Sequence, residues 1–405
     1  MHSSISLPVG RHPLTSWLAL VLAVSACHTA PATARPAPPT WAAELQTRVA
    51  AFQRESGLAG VNLAVSLADG RVVTAAAGQA DRETGEPLRP EHRMLAGSVG
   101  KTYAVALLLQ LVAAGRLGLD DPVAGFFADA PWYARLANAE DLTVRRLANH
   151  TSGLPRWVFQ PALWQALGSD PDRRWTGAER LALILDLAPV HAAGEAFAYS
   201  DSNYILLGMI VERIAGHTYE DLLRQRIAAP LGLTRTTPSD RRALDGLAAG
   251  YTKAENPFGL PAKVAEGGVY AVNPQFEWTG GGVITTAGDL ARWARALYAG
   301  DVLSPAMRAQ MVEPSPFPTK LPGAARYGLG AIVRSTDLGP AHGHDGFMPG
   351  YVTSMSYYPQ VDLAIAVQVN EDSTTGKHAR PLAGFAHEIA RWLATDAQAT
   401  AEPAD

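Results

Sequence analysis

Cysteine is nearly absent: Cys27 stands alone in 405 residues, which excludes a disulfide framework and any metal site built from several thiolates. Charge is sparse as well. Only 18% of residues are charged, 34 basic against 38 acidic, for a formal net charge of -4. A nucleic-acid binder carries a basic excess or stripe, and this chain has neither. With 47% hydrophobic residues it is also not the weakly hydrophobic, highly charged kind of chain that stays unfolded. Lysine is rare, five in total, so a lysine inside an apolar run stands out. Glycine and proline are plentiful, 37 and 29, as in a loop-rich globular enzyme rather than a repetitive chain. The length exceeds what one core usually supports, so two lobes are expected.

The longest purely local signal lies at the start. Arg11 and His12 precede an apolar run from Leu14 to Ala26, too short for a membrane-spanning helix of about 20 residues. Basic, then apolar, then small residues (Val24, Ser25, Ala26) is the order of a secretory signal. Because the run ends directly before Cys27, the segment resembles a bacterial lipoprotein signal, in which the cysteine is lipidated and becomes the mature N-terminus. The other reading is an ordinary signal peptide with a stray cysteine. The expectation is a signal peptide over 1–26, lipidation at Cys27, and a Pro/Ala-rich tether over 27–40. The folded domain would then be exported and lipid-anchored, periplasmic or at the cell surface of a bacterium.

Beyond the tether, Gly60 to Leu67 and Arg71 to Ala77 read as two strands joined at Asp69-Gly70, a hairpin signal. Ser98 to Ala114 is apolar nearly all round, which predicts a buried central helix closed by Gly115. The stretch from Asp120 to Thr236 is helix-rich, most clearly over Asn203 to Ala215. Tyr351 to Tyr358 and Leu363 to Val369 are strand-like around a Pro359-Gln360 turn, and Pro381 to Ala394 reads as an amphipathic helix. Strands from both ends of the chain with helical material between them predict an α+β fold: an antiparallel sheet assembled from the two chain ends, flanked by helices, with a mainly helical subdomain inserted. The domain is expected over 41–397, with an α/β lobe near 41–103 and 282–397, a helical lobe near 104–281, and a disordered tail over 398–405.

Three clusters carry chemistry. Ser98 and Lys101, three apart on a helix, share one face. Ser98 sits where the helix begins and unpaired backbone N–H groups can stabilise negative charge. A buried lysine is costly unless paired or deprotonated, and a desolvated one can act as a base; the plainer reading is a serine N-cap with a lysine snorkelling from the first turn. Tyr199 and Asp201 come next, where Ser200, Asp201 and Ser202 are N-cap candidates for the following helix and Tyr199 is otherwise a core residue. Third are His344 and Gly346, placed just before a strand, where glycine lets backbone approach a ligand. His342 and His344 have no partners at metal-site spacing, so no metal and no cofactor is expected. His150 in HTSG reads as a loop histidine.

Taken together, Ser98-Val99-Gly100-Lys101, Tyr199-Ser200-Asp201 and His344-Asp345-Gly346 resemble, in order, the motifs of serine β-lactamases and penicillin-binding proteins. LANHTSGLP (Leu147 to Pro155), PLGLTRT (Pro230 to Thr236), GGGVITTAGDLARWA (Gly280 to Ala294) and YGLG (Tyr327 to Gly330) are similar to the class C branch. That branch includes D-alanyl-D-alanine carboxypeptidases, D-amino-acid peptidases and esterases. The resemblance spans Ala43 to Trp392. It implies that Ser98 attacks a carbonyl to form an acyl-enzyme. Lys101 and Tyr199 would share the base and shuttle work, either taking the first proton. The amides of Ser98 and Phe347 would form the oxyanion hole. His344 stands where many members have lysine, as a weaker anchor whose charge would vary near neutral pH. Asp201 departs from the usual asparagine: it accepts but does not donate, and beside Lys101 it would favour the ammonium. The implied substrate is a small ester, a β-lactam or a D-amino-acid peptide. The alternative is a catalytically silent protein of the same fold that recognises peptidoglycan stems or a partner.

Overall fold

The computed structural model describes residues 39–372 and 381–399. The signal segment, Cys27 and all but the end of the tether lie outside them. The chain enters through helix α1 (Ala42–Ser56) and runs through strands β1 (Gly60–Ser66), β2 (Val72–Asp81), β3 (Glu86–Pro87) and β4 (Met94–Leu95) into helix α2 (Gly100–Ala113). Its middle carries α3 (Val144–Ala148), α4 (Pro161–Ser169), α5 (Gly177–Ala182), α6 (Ser202–Ala215) and α7 (Tyr219–Leu222). Short strands β5 (Thr237–Pro238), β6 (Gly250–Tyr251), β7 (Lys263–Glu266), β8 (Val269–Tyr270) and β9 (Val283–Thr285) follow. The return passes through α8 (Ala287–Tyr298) and α9 (Pro305–Val312) to β10 (Arg326–Tyr327), β11 (Ile332–Thr336), β12 (Gly339–Met348), β13 (Tyr351–Tyr358) and β14 (Leu363–Val369), and closes with α10 (Leu382–Ala399).

Eight strands form one sheet in the order β10-β11-β12-β13-β14-β1-β2-β3, antiparallel at every pair. The two chain ends meet in the middle, where β1 pairs with β14 in the register Leu63↔Val367. Every residue of both strands is buried, which is why they read as near-continuous apolar runs. Alternation assigns the faces. Val61, Leu63, Val65, Ile365, Val367 and Val369 pack with α1 and α10, whereas Ala64, Ala364 and Ala366 join the cluster that holds Leu290 and Leu297 of α8. Large residues fill one layer, and small ones let α8 lie close on the other. Phe52 of α1 stacks on Phe385 of α10 at 4.0 Å, and Tyr103 of α2 on Trp293 of α8 at 4.3 Å.

The Asp69-Gly70 turn forms as predicted, with Gly70 at φ 81° and Leu67 N–H bonded to Arg71 O at 2.9 Å. Four local expectations shift. Strand β2 runs past Ala77 to Asp81, and the last helix continues to Ala399, into the segment expected as tail. The inserted region is not purely helical: its strands enter two three-stranded sheets, β4-β9-β5 and β6-β7-β8. His344 and Gly346 lie inside the ten-residue strand β12 rather than ahead of a strand. Its three glycines mask the strand in the sequence, and cross-strand pairing with β13 (His344↔Met355, Gly346↔Thr353) supplies what propensity does not.

Candidate active site

Ser98 sits in a tight 3-10 turn (Gly97–Val99) that leads into α2. From Arg93 to Leu109 it is the only residue that is not buried. Three glycines make that turn fit. Gly97 is left-handed (φ 52°), and a Cβ there would meet Phe347 N at 2.6 Å; a Cβ on Gly100 would lie 2.8 Å from Gly281 Cα; one on Gly346 would lie 1.9 Å from Ala96 O and 3.3 Å from Ser98 N. Strand β12 thus approaches the serine turn at backbone distance, and the Ser98 and Phe347 amides come to the same end of α2.

Lys101 is fully buried. Its Nζ donates to Ser98 Oγ at 3.0 Å, to Asp201 Oδ1 at 2.7 Å and to Gly280 O at 2.7 Å, so all three ammonium protons are used. Burial alone would depress its pKa, but the negative charge of Asp201, with Tyr199 and Glu277 beyond it, pushes the pKa above the usual lysine range. The sequence-based expectation that Asp201 favours the ammonium holds. As an N-cap, however, Asp201 does nothing: α6 has no side-chain cap. Its second oxygen accepts from Arg156 Nε at 3.0 Å and Nη2 at 2.7 Å. Burial would raise the Asp201 carboxyl, yet Lys101 and Arg156 together hold it well below the ordinary carboxylate range. Ser200 and Ser202 do not cap either. Both hydroxyls donate to Pro155 O, at 3.0 and 2.6 Å, and fix the loop that presents Arg156.

The Tyr199 ring lies 5.0 Å from the Lys101 ammonium and 4.1 Å from the His150 ring. Its buried hydroxyl lies toward Ser98 and Lys101. Burial raises its pKa, the Lys101 charge lowers it, Asp201 raises it further, hydrogen bonding to the Ser98 and Lys101 side chains lowers it, and the balance is upward. His150 is more than a loop histidine: Nδ1 accepts from Ser200 N at 3.1 Å and faces Asn203 Nδ2 at 3.0 Å, so the ring backs the Tyr199 loop.

His344 differs from the sequence-based expectation. It is buried, with Nε2 2.9 Å from Tyr327 Oη and Nδ1 2.5 Å from Asp345 O. The carbonyl makes Nδ1 the donor and leaves Nε2 to accept from the tyrosine. Burial, helped by Lys101, lowers its pKa to about 4. The imidazole is therefore neutral near pH 7, with both nitrogens engaged, and its charge does not vary there. It braces Tyr327 rather than anchoring an anion.

Sequence reasoning missed Arg156 and Glu277. Nothing distinguishes Arg156 locally from any loop arginine. Glu277 did leave a trace, as the lone charged side chain between Glu266 and Asp289. Half-buried beside Gly281, it is raised to about 7 by burial and by the charge of Asp201.

A family model described as Beta-lactamase matches residues 45–388. The chain belongs to the beta-lactamase family. Within this family it is a serine hydrolase of the kind that acts on amides and esters. It is 30% identical to Penicillin-binding protein 4 of Amycolatopsis lactamdurans, over 81% of this chain and 85% of that one. It is 28% identical to a D-aminopeptidase of Brucella anthropi over 70% of this chain, and spans about half (51%) of that relative. Among solved structures, a D-stereospecific amidohydrolase from Streptomyces sp. superposes with a TM-score of 0.69 at 26% identity, covering 83% of this chain and 95% of the other.

Proposed function

We propose that this beta-lactamase-family chain is a lipid-anchored hydrolase of the bacterial envelope that cleaves a neutral ester or a D-amino-acid amide through an acyl-enzyme on Ser98. One observation carries the assignment: the single accessible residue of a buried segment has its Oγ 3.0 Å from the Nζ of a buried lysine. In this mechanism Ser98 Oγ attacks the carbonyl carbon while the Ser98 and Phe347 amides hold the oxygen that becomes negative. The serine proton passes to the phenolate form of Tyr199, which the Lys101 charge favours, because Lys101 itself has no free lone pair while its three protons are engaged. With the Tyr199 pKa shifted upward, that form and hence acylation grow toward alkaline pH. Tyr199 returns the proton to the departing alcohol or amine. Water then attacks the ester carbon of the acyl-enzyme by the reverse route, freeing the acid and Ser98.

Two features support neutral substrates. His344 is uncharged and fully engaged, so a β-lactam carboxylate or a peptide C-terminus would find no cation on β12. Asp201 offers no amide donor, and both of its oxygens serve cations. The D-aminopeptidase and D-stereospecific amidohydrolase among its relatives support the amide half of the reading.

Labelling with a fluorophosphonate tests the nucleophile: wild type takes the label and Ser98→Ala does not, and an unlabelled wild type overturns the reading. On a panel of p-nitrophenyl ester, D-amino-acid anilide and cephalosporin, the cephalosporin is expected to be the poorest substrate. The anchor belongs to the same proposal and rests on Cys27 and its apolar lead. Replacing Cys27 with Ser should move the protein from the membrane to the soluble fraction or block its processing; a wild type that is already soluble and unlipidated overturns the anchor alone.

A further inference from the structure

We propose that an aromatic groove beside Phe347 is the subsite for the acyl side of the substrate, and that it takes an aromatic or branched apolar substituent; this rests on Ser98 being the nucleophile. The groove encloses about 560 Å³ and is lined by Phe159, Trp164, Phe258 and Leu260, a size within the usual range for small-molecule sites. Trp164 and Phe258 pack at 4.6 Å, and Phe258 reaches Phe347 at 5.9 Å. Phe347 links the two places: its ring lies against the Phe258 wall of the groove, and its backbone N lies 2.6 Å from where a Cβ on Gly97 of the serine turn would sit.

Exposure and chemistry both point to a ligand. Phe159, in the groove lining, and Phe347, against the Phe258 wall, are 62% and 44% exposed. Soluble proteins seldom leave adjoining aromatic surface uncovered without a use for it. Arg156 lies 4.1 Å over the Phe159 ring while its Nε and Nη2 hold Asp201. The loop that completes the charge network therefore also sets one wall of the groove.

Direction follows from where the proton must go. A leaving group departs beside its proton donor, and Tyr199 lies on the His344 side, with ring centroids 6.3 Å apart. Phe347 is three residues further along β12, about 10 Å at the rise of a strand. With the leaving group at Tyr199, the acyl part of the substrate extends the other way, toward Phe347 and the aromatic wall.

The test is the ratio of kcat/KM for p-nitrophenyl phenylacetate to that for p-nitrophenyl acetate in the full chain. Wild type should prefer the phenylacetate, and Phe258→Ala should cut the ratio about ten-fold, the scale of a filled against an emptied apolar pocket. Phe258→Leu should recover part of it. Phe159→Ala, a truncation of an exposed ring that does not threaten folding, should lower the ratio too. An unchanged ratio in both alanine variants overturns the groove and leaves Ser98 standing. A wild type that takes no fluorophosphonate and turns over neither ester overturns both.

Discussion

Asp201 sits between two cations, and that position has consequences for pH. Its charge raises Lys101 against the burial that would lower it. Because the same charge also raises Tyr199, Asp201→Asn should lower the Tyr199 pKa, supply its phenolate at lower pH, and move the alkaline rise of kcat/KM toward acid. A pH profile on an activated ester checks this, and an unmoved profile would mean that Asp201 does not govern the base. The new amide also adds a donor, so the rate of cephalosporin acylation relative to a simple ester should rise about ten-fold, the scale of one buried hydrogen bond. Glu277 makes a stability prediction. Its pKa is raised from an ordinary 4.5 to about 7, so between those values the folded state holds a proton that the unfolded chain has lost. Stability then falls as pH rises through that window. Glu277→Gln should flatten the decline, read as the difference in Tm between pH 5 and pH 8 in both proteins.

Among the elements, strand β12 decides how the site closes. Gly343 and Gly346 have no room for a side chain: a Cβ on Gly343 would lie 1.8 Å from Met355 O, and one on Gly346 1.9 Å from Ala96 O. Both neighbours are backbone, which cannot swing aside, so Gly346→Ala must push β12 away from the serine turn. A displacement of about 1 Å at reacting atoms costs on the order of a hundred-fold in rate. The expected result is a loss of acylation of that order with the sheet still formed, checked by burst kinetics alongside circular dichroism; near-normal acylation would mean that the strand's approach does not set the oxyanion geometry. Helix α8 is anchored more conventionally, by Thr286 Oγ1 accepting from Asp289 N at 3.2 Å, a cap worth about 1 kcal/mol.

At the scale of the whole molecule, catalysis and stability are drawn from different layers. The serine turn, α2 and α6 belong to the large cluster that includes α8, whereas α1 and α10 seal the other face of the sheet through a separate core. Phe385 is buried there, stacked on Phe52. Phe385→Ala should cost about 3–5 kcal/mol of stability and leave kcat on an activated ester unchanged at temperatures where the protein is folded. Parallel thermal and kinetic measurements test the separation, and a matching fall in kcat would show that the two layers are coupled.

What the sequence by itself determined is what short-range geometry governs. Ser98 and Lys101 share a face because three residues make nearly one helical turn. The Asp69-Gly70 turn needs only a residue that accepts positive φ; Leu363–Val369 is legible because a strand buried on both faces is mostly apolar, and Tyr351–Tyr358 because it is rich in aromatic and β-branched residues. The tertiary structure alone decided the rest. It brought Arg156 to Asp201 from 45 positions away, set Glu277 beside Lys101, enclosed His344 so that it stays neutral, and placed Phe258 against Phe347. A residue's type states which charges and hydrogen bonds it can carry. Which of them it does carry depends on the partners and the burial that packing imposes, and those come from chain segments that no local pattern connects.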